Sequence, residues 1–372
     1  MAARDIQLQY TFGDSGQRGA DVANPLFDLL TALRDHGSIQ QVVRASGASY
    51  RHVWGQLKHW EAVLEQPLVV WTQGQPARLT GFAQRLLWAE ARARTRLTPH
   101  IEALRAELER VMVEALDGSQ QVLPVLASHD LALPYLREIA SAAVGLHLDL
   151  RFAGSMDALR ALAEGRCAVA GFHVPVLVHS GTVFARALKP LLKPGRHKLI
   201  ACLRRTQGLI VAPGNPLGLT GLDDVVGRAA RFVHRQPGSG TRLLTQYLLH
   251  ERGLQIAALN GADGASEHSH IAVAAAVAVG DADAGLGIEA AAHQFGLGFV
   301  PLVAEDYFLV CLHDALDSPG VILLRSVLSG TRWASALAAL VGYANAPASG
   351  EVLALTRALP WWRFRQGKGG GA

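Results

Sequence analysis

Over residues 121–345, short apolar runs alternate with helical patterns, and this alternation most restricts what the chain can fold into. The runs are Val122–Ala127, Leu148–Phe152, Ala168–Phe172, Leu199–Leu203, Gly208–Ala212, Ala230–Val233 and Tyr307–Leu312. Between them lie helical stretches such as Leu131–Ala143 and Met156–Glu164. Strands alternating with helices predict parallel sheets covered on both faces. Residues 121–365 suffice for two α/β lobes with a cleft at the carboxyl ends of the strands.

The 372 residues are too many for one typical domain, and half of them are hydrophobic, enough for a sizeable core. The stretch Met1–Ala20 is polar and glycine-containing, so no secretory signal is expected. No apolar run reaches the ~18 residues of a membrane span, and Ile271–Val279 is too short. Cys167, Cys202 and Cys311 are widely spaced and match no metal-ligand pattern, so the expected location is a reducing cytoplasm.

The net charge of +4 says little; its distribution says more. Between Arg34 and Arg96 nine Lys/Arg stand against Asp35, Glu61, Glu65 and Glu90. Such a local excess is the usual electrostatic footprint of a DNA-binding module. Between Glu164 and Asp223 no acidic residue occurs, while Arg166, Arg186, Lys189, Lys193, Arg196, Lys198, Arg204 and Arg205 do. A solvated basic face and an anion-attracting cleft wall both fit that stretch.

Ahead of residue 120 the pattern is helical. Asn24-Pro25 starts one helix, and Gly37 ends it. Ser38 caps a second helix, Gly47 turns, and Ser49 caps a third from Tyr50 to about Leu64. The third helix offers Ser49, Tyr50, Arg51, His52, Gln56 and Lys58 to a partner, and Ser38 joins them from the turn before. Pro67–Trp71 and Arg78-Leu79 read as two short strands joined at Gln73, a wing whose tip can reach DNA. From Thr80 a long helix carries the apolar stripe Leu86, Leu87, Ala93, Leu97, Ile101, Leu104, Leu108, Val111 and Met112, a natural dimerisation element.

In the C-terminal part, Phe232-Val-His-Arg-Gln-Pro-Gly-Ser-Gly-Thr-Arg242 reads as strand, glycine loop and helix start. A helix beginning there points free N–H groups and its positive dipole end at the loop. Ser239, Gly240 and Thr241 supply the cradle, and Arg235 and Arg242 add charge. Three further loops carry polar groups: Ser128-His129-Asp130, Gly154-Ser155 and Glu267-His268-Ser269-His270. His173, at a strand end, faces either the cleft or a lobe core. Helix N-termini converging on one cleft would hold a small anion.

The stretch Gly37–Trp54, with Ser49-Tyr-Arg-His-Val-Trp54, Glu65-Gln-Pro-Leu68 and Arg78-Leu-Thr-Gly81, resembles the winged helix of LysR-type regulators, and most of all the molybdate-responsive ModE branch. It departs at Gly81-Phe82, where the family often has Pro-x-Gly. A second set of motifs resembles the periplasmic-binding-protein-like domain found fused to such winged helices and to molybdopterin-biosynthesis proteins. It includes Gly154–Leu162, Gly171-Phe-His173, Gly208–Pro216, Arg231–Arg242, Glu267–Val277 and Asp281–Ile288. The resemblance implies a type II two-lobe fold with crossovers near Arg204–Gly208 and Glu305–Val310.

The expected organisation is therefore multidomain. A flexible segment 1–20 precedes an all-α winged helix-turn-helix over 21–82 and a linker helix over 83–118. An α/β two-lobe domain spans 121–365, with lobe I about 121–204 and 310–365, lobe II about 205–309, and a disordered tail at 366–372. The implied partners are double-stranded operator DNA, a small anion and a second copy of the chain through the 83–118 helix, as a dimer or tetramer. Molybdate or tungstate is the first ligand expectation; formate or another small carboxylate, or a molybdopterin-related compound, is the alternative. Neither a cofactor, a metal nor a membrane partner is implied. No Ser-His-Asp grouping, nucleophile elbow, Walker loop or dinucleotide fingerprint is legible, so no catalytic residues are expected. A free solute receptor or an enzyme is the lesser alternative.

Overall fold

The computed structural model describes residues 24–72, 76–116, 121–176, 182–261 and 266–362. It divides into two compact units at Thr98 and Pro99. In the first, α1 (Pro25–His36), α2 (Ile39–Ser46) and α3 (Tyr50–Leu64) precede a ribbon of β1 (Val69–Val70) and β2 (Arg78–Leu79). The helix α4 (Gly81–Leu116) follows and contains the division point.

Short polar side chains set where these helices begin. Asn24 Oδ1 accepts from Leu26 N at 3.0 Å, Ser38 Oγ from Gln41 N at 3.2 Å, and Ser49 Oγ from His52 N at 3.2 Å. Each satisfies an N–H that has no partner in the helix. Gly37 and Gly47 end α1 and α2 at φ 68° and 69°, a left-handed geometry that costs glycine nothing. Leu26, Leu30, Leu33, Ile39, Val42, Val53 and Leu57 fill the core between the helices. The ribbon is antiparallel, with Val69 opposite Leu79, and it adds Leu68 and Leu79 to that core.

In the second unit the order is β3 (Gln121–Ser128), α5 (Leu133–Val144), β4 (Leu146–Ala153), α6 (Ser155–Ala163), β5 (Val169–Pro175) and α7 (Thr182–Leu188). Then come β6 (His197–Val211), α8 (Leu222–Gly227), β7 (Phe232–Arg235), α9 (Gly240–His250), β8 (Ser266–Glu267) and α10 (His270–Ala278). The chain continues with β9 (Ala284–Ile288), α11 (Glu289–Gln294), β10 (Gly298–Leu312), α12 (Pro319–Leu328) and α13 (Thr331–Ala338). It closes with β11 (Tyr343–Asn345), β12 (Val352–Ala354) and α14 (Leu355–Ala358).

Two long strands, β6 and β10, tie this unit into two lobes. The strand order is β4-β3-β5-β10-β6-β9-β7-β8. The second half of β10 pairs with β5, while the first half of β6 pairs with β11 and β12. From Gln207 onward β6 pairs with β9 instead. Both strands thus change neighbours at Arg205–Gln207 and Ala304–Glu305. Residues at this crossover lie on the seam between the lobes.

Three sequence expectations change here. The separate runs Leu199–Leu203 and Gly208–Ala212 form one strand, because the polar stretch between them is buried rather than looped out. Arg205 and Gln207 are fully enclosed. The sheets are mixed, not parallel throughout: β10 runs antiparallel to β5 and β6, and β6 antiparallel to β9. The run Ala230–Val233 is displaced to Phe232–Arg235, which carries Arg235 to the strand's end.

Side chains alternate across β6, so two apolar cores form on opposite faces of the sheet. Ile200, Cys202 and Ile210 join one with Leu123, Leu136, Val273, Leu324 and Trp333. Leu199, Ala201, Leu209 and Val211 join the other with Leu159, Phe172, Leu244 and Val310. No described helix is long and apolar enough to cross a membrane.

Trp333 is fully buried and its Nε1 donates to Cys202 O at 3.1 Å, fastening α13 to β6. Replacing it with alanine loses packing and leaves that carbonyl with only Ser349 Oγ, at 3.0 Å, as donor. Trp333→Ala is expected to cost about 3–5 kcal/mol in denaturant unfolding. A cost below about 1 kcal/mol would mean that the site collapses around the deletion.

Candidate functional site

The crossover places charged and polar groups where an apolar strand interior would be expected. The Arg205 guanidinium sits between Asp130 and Glu305, its Nη1 donating to Asp130 Oδ2 and its Nε to Glu305 Oε2 at 3.2 Å. Burial pushes against its charge, but the two carboxylates outweigh burial and hold its pKa above the ordinary arginine value. Tyr343 Oη also donates to Asp130 Oδ2, at 3.0 Å. Gln207 Nε2 donates to Glu305 Oε2 at 2.7 Å and to Thr241 Oγ1 at 3.1 Å. That pair of acceptors fixes which way the amide points, leaving Gln207 Oε1 without a partner.

A second chain of contacts reaches Glu305 from the other side. Tyr307 Oη donates to Ser128 O at 2.7 Å, and Ser128 Oγ donates to Tyr307 Oη at 3.1 Å. Ser128 Oγ also lies 3.3 Å from His173 Nδ1, a contact in which either atom can donate according to the ring's tautomer. His173 Nε2 faces Glu305 Oε1 at 3.6 Å, and neither atom has a hydrogen-bond partner. Ser128, His173 and Glu305 thus align across the cluster.

Above this floor stand the ends of β7 and three helices. Arg235 is 6% exposed; its Nε donates to Glu267 O at 3.1 Å and its Nη2 to His268 O at 2.9 Å. Its Nη1 has no hydrogen-bond partner. Burial, reinforced by the charge of Arg205, lowers the Arg235 pKa to about 9. Ser155, the first residue of α6, is fully enclosed with an unpartnered Oγ. His270, the first residue of α10, is enclosed with an unpartnered Nδ1. The glycine loop closes against α6, where Met156 N donates to Gly238 O at 3.4 Å. A side chain at Gly154 would come within 3.0 Å of Gly238 O, and one at Gly240 within 2.4 Å of His173 Nε2. These glycines permit the close approach of the lobes.

A family model for the PBP superfamily domain matches residues 136–329, which is more than half the chain and includes Ser155, His173, Arg205, Arg235 and Glu305 but not Ser128, Asp130 or Tyr343. The chain belongs to the PBP superfamily. It is also similar to YvgK of Bacillus subtilis (strain 168), an uncharacterised protein, at 27% identity over 227 residues, covering 61% of this chain and 72% of that one. Among solved structures it is similar to a hydrogen-peroxide-bound OxyR mutant of Corynebacterium glutamicum, with TM-score 0.44, 14% identity and coverage of 84% and 93%. Full-length BenM gives TM-score 0.42, 15% identity and coverage of 81% and 94%.

In this PBP-superfamily domain the residues singled out from sequence fall into three groups. Ser128, Ser155, His173, Arg235, Gly240 and Thr241 lie in or against the buried cluster. His129 and His270 belong to it electrostatically, since Arg235 and Arg205 both depress their pKa values. Ser239 caps α9: its Oγ accepts from Arg242 N at 3.2 Å and donates to Gln236 O at 2.9 Å. The His268 side chain is exposed, and its carbonyl accepts from Arg235 Nη2. Glu267 is enclosed in β8 beside Arg235, which makes it part of the wall. Arg242 is half-buried on α9 and contributes charge near His234.

Sequence reasoning missed Arg205, Gln207, Glu305, Tyr307 and Tyr343 as one group. The β6 and β10 members are about a hundred residues apart and meet only because the two strands cross together. The one available signal was that the implied crossovers carry Arg205, Gln207 and Glu305 beside apolar runs.

On the first unit, α3 turns Val53 and Leu57 inward and presents Tyr50, Arg51, His52, Lys58 and His59 outward. Tyr50 stacks on Trp54, and Trp54 packs against Trp71 of the ribbon segment at 5.5 Å. Lys58 lies over the Trp54 ring at 4.9 Å and pairs with Glu61 at 2.7 Å. Gln56 is half-buried, and Arg78 is exposed on β2. Ser38 and Ser49 use their hydroxyls as acceptors in caps. Gln73 lies outside the described residues. Among the described residues no cluster of His, Cys, Asp and Glu could hold a metal ion.

The histidines give the cleft a pH dependence with a definite sign. Burial first, then Arg235 and Arg205, pulls His129 from 6.5 to about 3, and burial with the same arginines holds His173 and His270 well below 6.5. Above pH 6.5 the rings are neutral in both folded and unfolded chains and contribute no pH dependence. Below it the unfolded chain takes up protons that the folded cleft refuses, so stability falls toward pH 3. Each such ring adds up to ~1.36 kcal/mol per pH unit. Melting temperature is expected to drop from pH 7 to pH 5, with a shallower drop in His129→Asn; equal slopes would remove His129 from the effect.

Proposed function

We propose that the chain is a ligand-responsive DNA-binding regulator whose cleft holds a small anion. The observation that carries this reading is the unpartnered Arg235 Nη1 and Ser155 Oγ, both enclosed at the meeting of two lobes. Burying a guanidinium with an unused donor is unfavourable unless a ligand supplies the acceptor. Helix N-termini at Ser155, Gly240 and His270 add positive potential.

In this reading the first unit is a winged helix-turn-helix. Its α3 enters the major groove, with Arg51, Tyr50, His52 and Gln56 toward bases or phosphates, and the ribbon with Arg78 as the wing. Capped, closely spaced α2 and α3 over one core support that placement. Exposed Leu97, Leu104 and Val111 on α4 recur every seven residues, with Met112 beside them, which supports a homodimer through that helix. Ligand closure of the lobes then changes the spacing of paired winged helices. By linkage, operator DNA shifts ligand affinity by the same factor that ligand shifts DNA affinity.

The test uses the full chain and a duplex that it selects from a random pool. Arg51→Ala is expected to weaken binding about tenfold or more, the scale of one good base contact, while leaving ligand-induced thermal stabilisation intact. The ligand screen covers molybdate, tungstate, sulfate, formate and small aromatic acids. A ligand at ~100 times its Kd adds ~2.7 kcal/mol, and Arg235→Gln should abolish that shift. Failure to select any duplex, or a ligand that stabilises the chain without changing duplex affinity, would refute the regulator reading.

A further inference from the structure

The buried cluster is not a set of donors alone. Two acceptor atoms in it, Glu305 Oε1 and Gln207 Oε1, have no hydrogen-bond partner, and neither does His173 Nε2, which faces Glu305 Oε1 at 3.6 Å. All three sit at the crossover floor on β5, β6 and β10. Of the donors without a partner, Arg235 Nη1 and Ser155 Oγ sit at the end of β7 and the start of α6, and Arg205 Nη2 at the crossover. The site therefore offers unused acceptors as well as unused donors.

Charge points the same way. Arg205 is paired with Asp130 and Glu305, and Arg235 makes hydrogen bonds only to uncharged acceptors. Glu305, then Glu267, lie within electrostatic reach of Arg235 and offset part of its charge. The helix N-termini supply roughly half a charge each. A tetrahedral dianion would set two negative charges in a buried space that already holds Glu305 Oε1 without a donor. Such a carboxylate repels a fully ionised oxyanion and acts as a rejecting element.

We propose that the cleft selects a singly charged organic anion that also carries an N–H or O–H donor, with Glu305 and Gln207 as the specificity-determining acceptors. The ligand's carboxylate lies toward Arg235 and Ser155. Its hydroxyl, amino or amide hydrogens lie toward Glu305 Oε1 and Gln207 Oε1. This selection rests on the small-anion reading above and narrows it.

Matched probes test it on the full chain by calorimetry and thermal shift: acetate, glycolate and glycine; propionate, lactate and alanine; benzoate, salicylate and anthranilate. Sodium sulfate, molybdate and tungstate form the dianion arm. In at least one series the donor-bearing member is expected to bind about tenfold or more tighter than its plain partner, because an unpaired buried acceptor penalises the partner lacking a donor. The dianions are expected to bind more weakly than that member. Glu305→Gln should shrink the ratio within the series, whereas Ser155→Ala should weaken both members alike. Should Glu305→Gln fail to fold, the wild-type ratios decide. Tighter binding of a dianion, equal binding within every series, or no binding by any probe overturns the proposal. The selected duplex separates the two readings. Tungstate that binds and shifts duplex affinity leaves the regulator standing and this selection fallen. Salicylate that binds with the expected ratio but leaves duplex affinity unchanged does the reverse.

Discussion

The structure of the C-terminal unit turns on one guanidinium. Arg205 lies at the point where β6 leaves one set of neighbours for another, and it is held there by Asp130 from the loop after β3 and Glu305 from β10. All three groups are enclosed. Burying such charges is tolerable only when they are paired, and breaking one partner of a buried pair typically costs about 3–5 kcal/mol. The pair thus fixes the register between β6 and β10 at the crossover, and with it the position of every group on the cleft floor. Gln207 reaches Glu305 and Thr241 from this fixed strand, which ties the start of α9 to the floor.

That arrangement separates two tasks among residues of the same type. Arg205 pairs with two carboxylates, whereas Arg235 donates only to uncharged acceptors; each keeps one Nη without a partner. The difference is visible in their protonation. Neighbouring carboxylates push Arg205 above the ordinary value, while burial and Arg205 itself bring Arg235 down. Arg235, hydrogen-bonded only to uncharged acceptors, is the cation beside which an arriving anion finds an unused donor. The neutral histidines around them fit the same logic: a third or fourth positive charge in that enclosure would be strongly disfavoured, so His129, His173 and His270 serve as uncharged polar groups.

How much of this is legible in the sequence depends on the range of the interactions. Helix starts at Asn24, Ser38, Ser49 and Ser239 and helix ends at Gly37 and Gly47 follow from bonds within three or four residues, and local pattern finds them. The glycine loop and Arg235 are legible for the same reason, since strand end, loop and helix start are contiguous. The joining of Leu199–Leu203 to Gly208–Ala212 is not, because Arg204 to Gln207 reads as a polar break unless Asp130 and Glu305 are known to neutralise it. His268 suggests a site residue by proximity in sequence, but β8 is only two residues long and turns its carbonyl, not its ring, toward Arg235. The acceptor pair of Glu305 and Gln207 needs both long strands in place.

The same crossover accounts for how a cleft of this kind can respond to what fills it. β6 and β10 are continuous through both lobes, so the lobes cannot separate without changing geometry at Arg205, Gln207 and Glu305. The lobes also meet through Met156 N to Gly238 O at 3.4 Å and through a shared apolar core in which Phe184 of α7 packs on Tyr247 of α9 at 6.0 Å. A ligand shifts the balance between open and closed lobes only by its differential contacts with the two states. A ligand bridging Arg235 on one lobe and Ser155 on the other adds its affinity to the closed state directly. A donor reaching Glu305 and Gln207 adds it at the hinge, where a change in lobe angle is largest in consequence and smallest in distance.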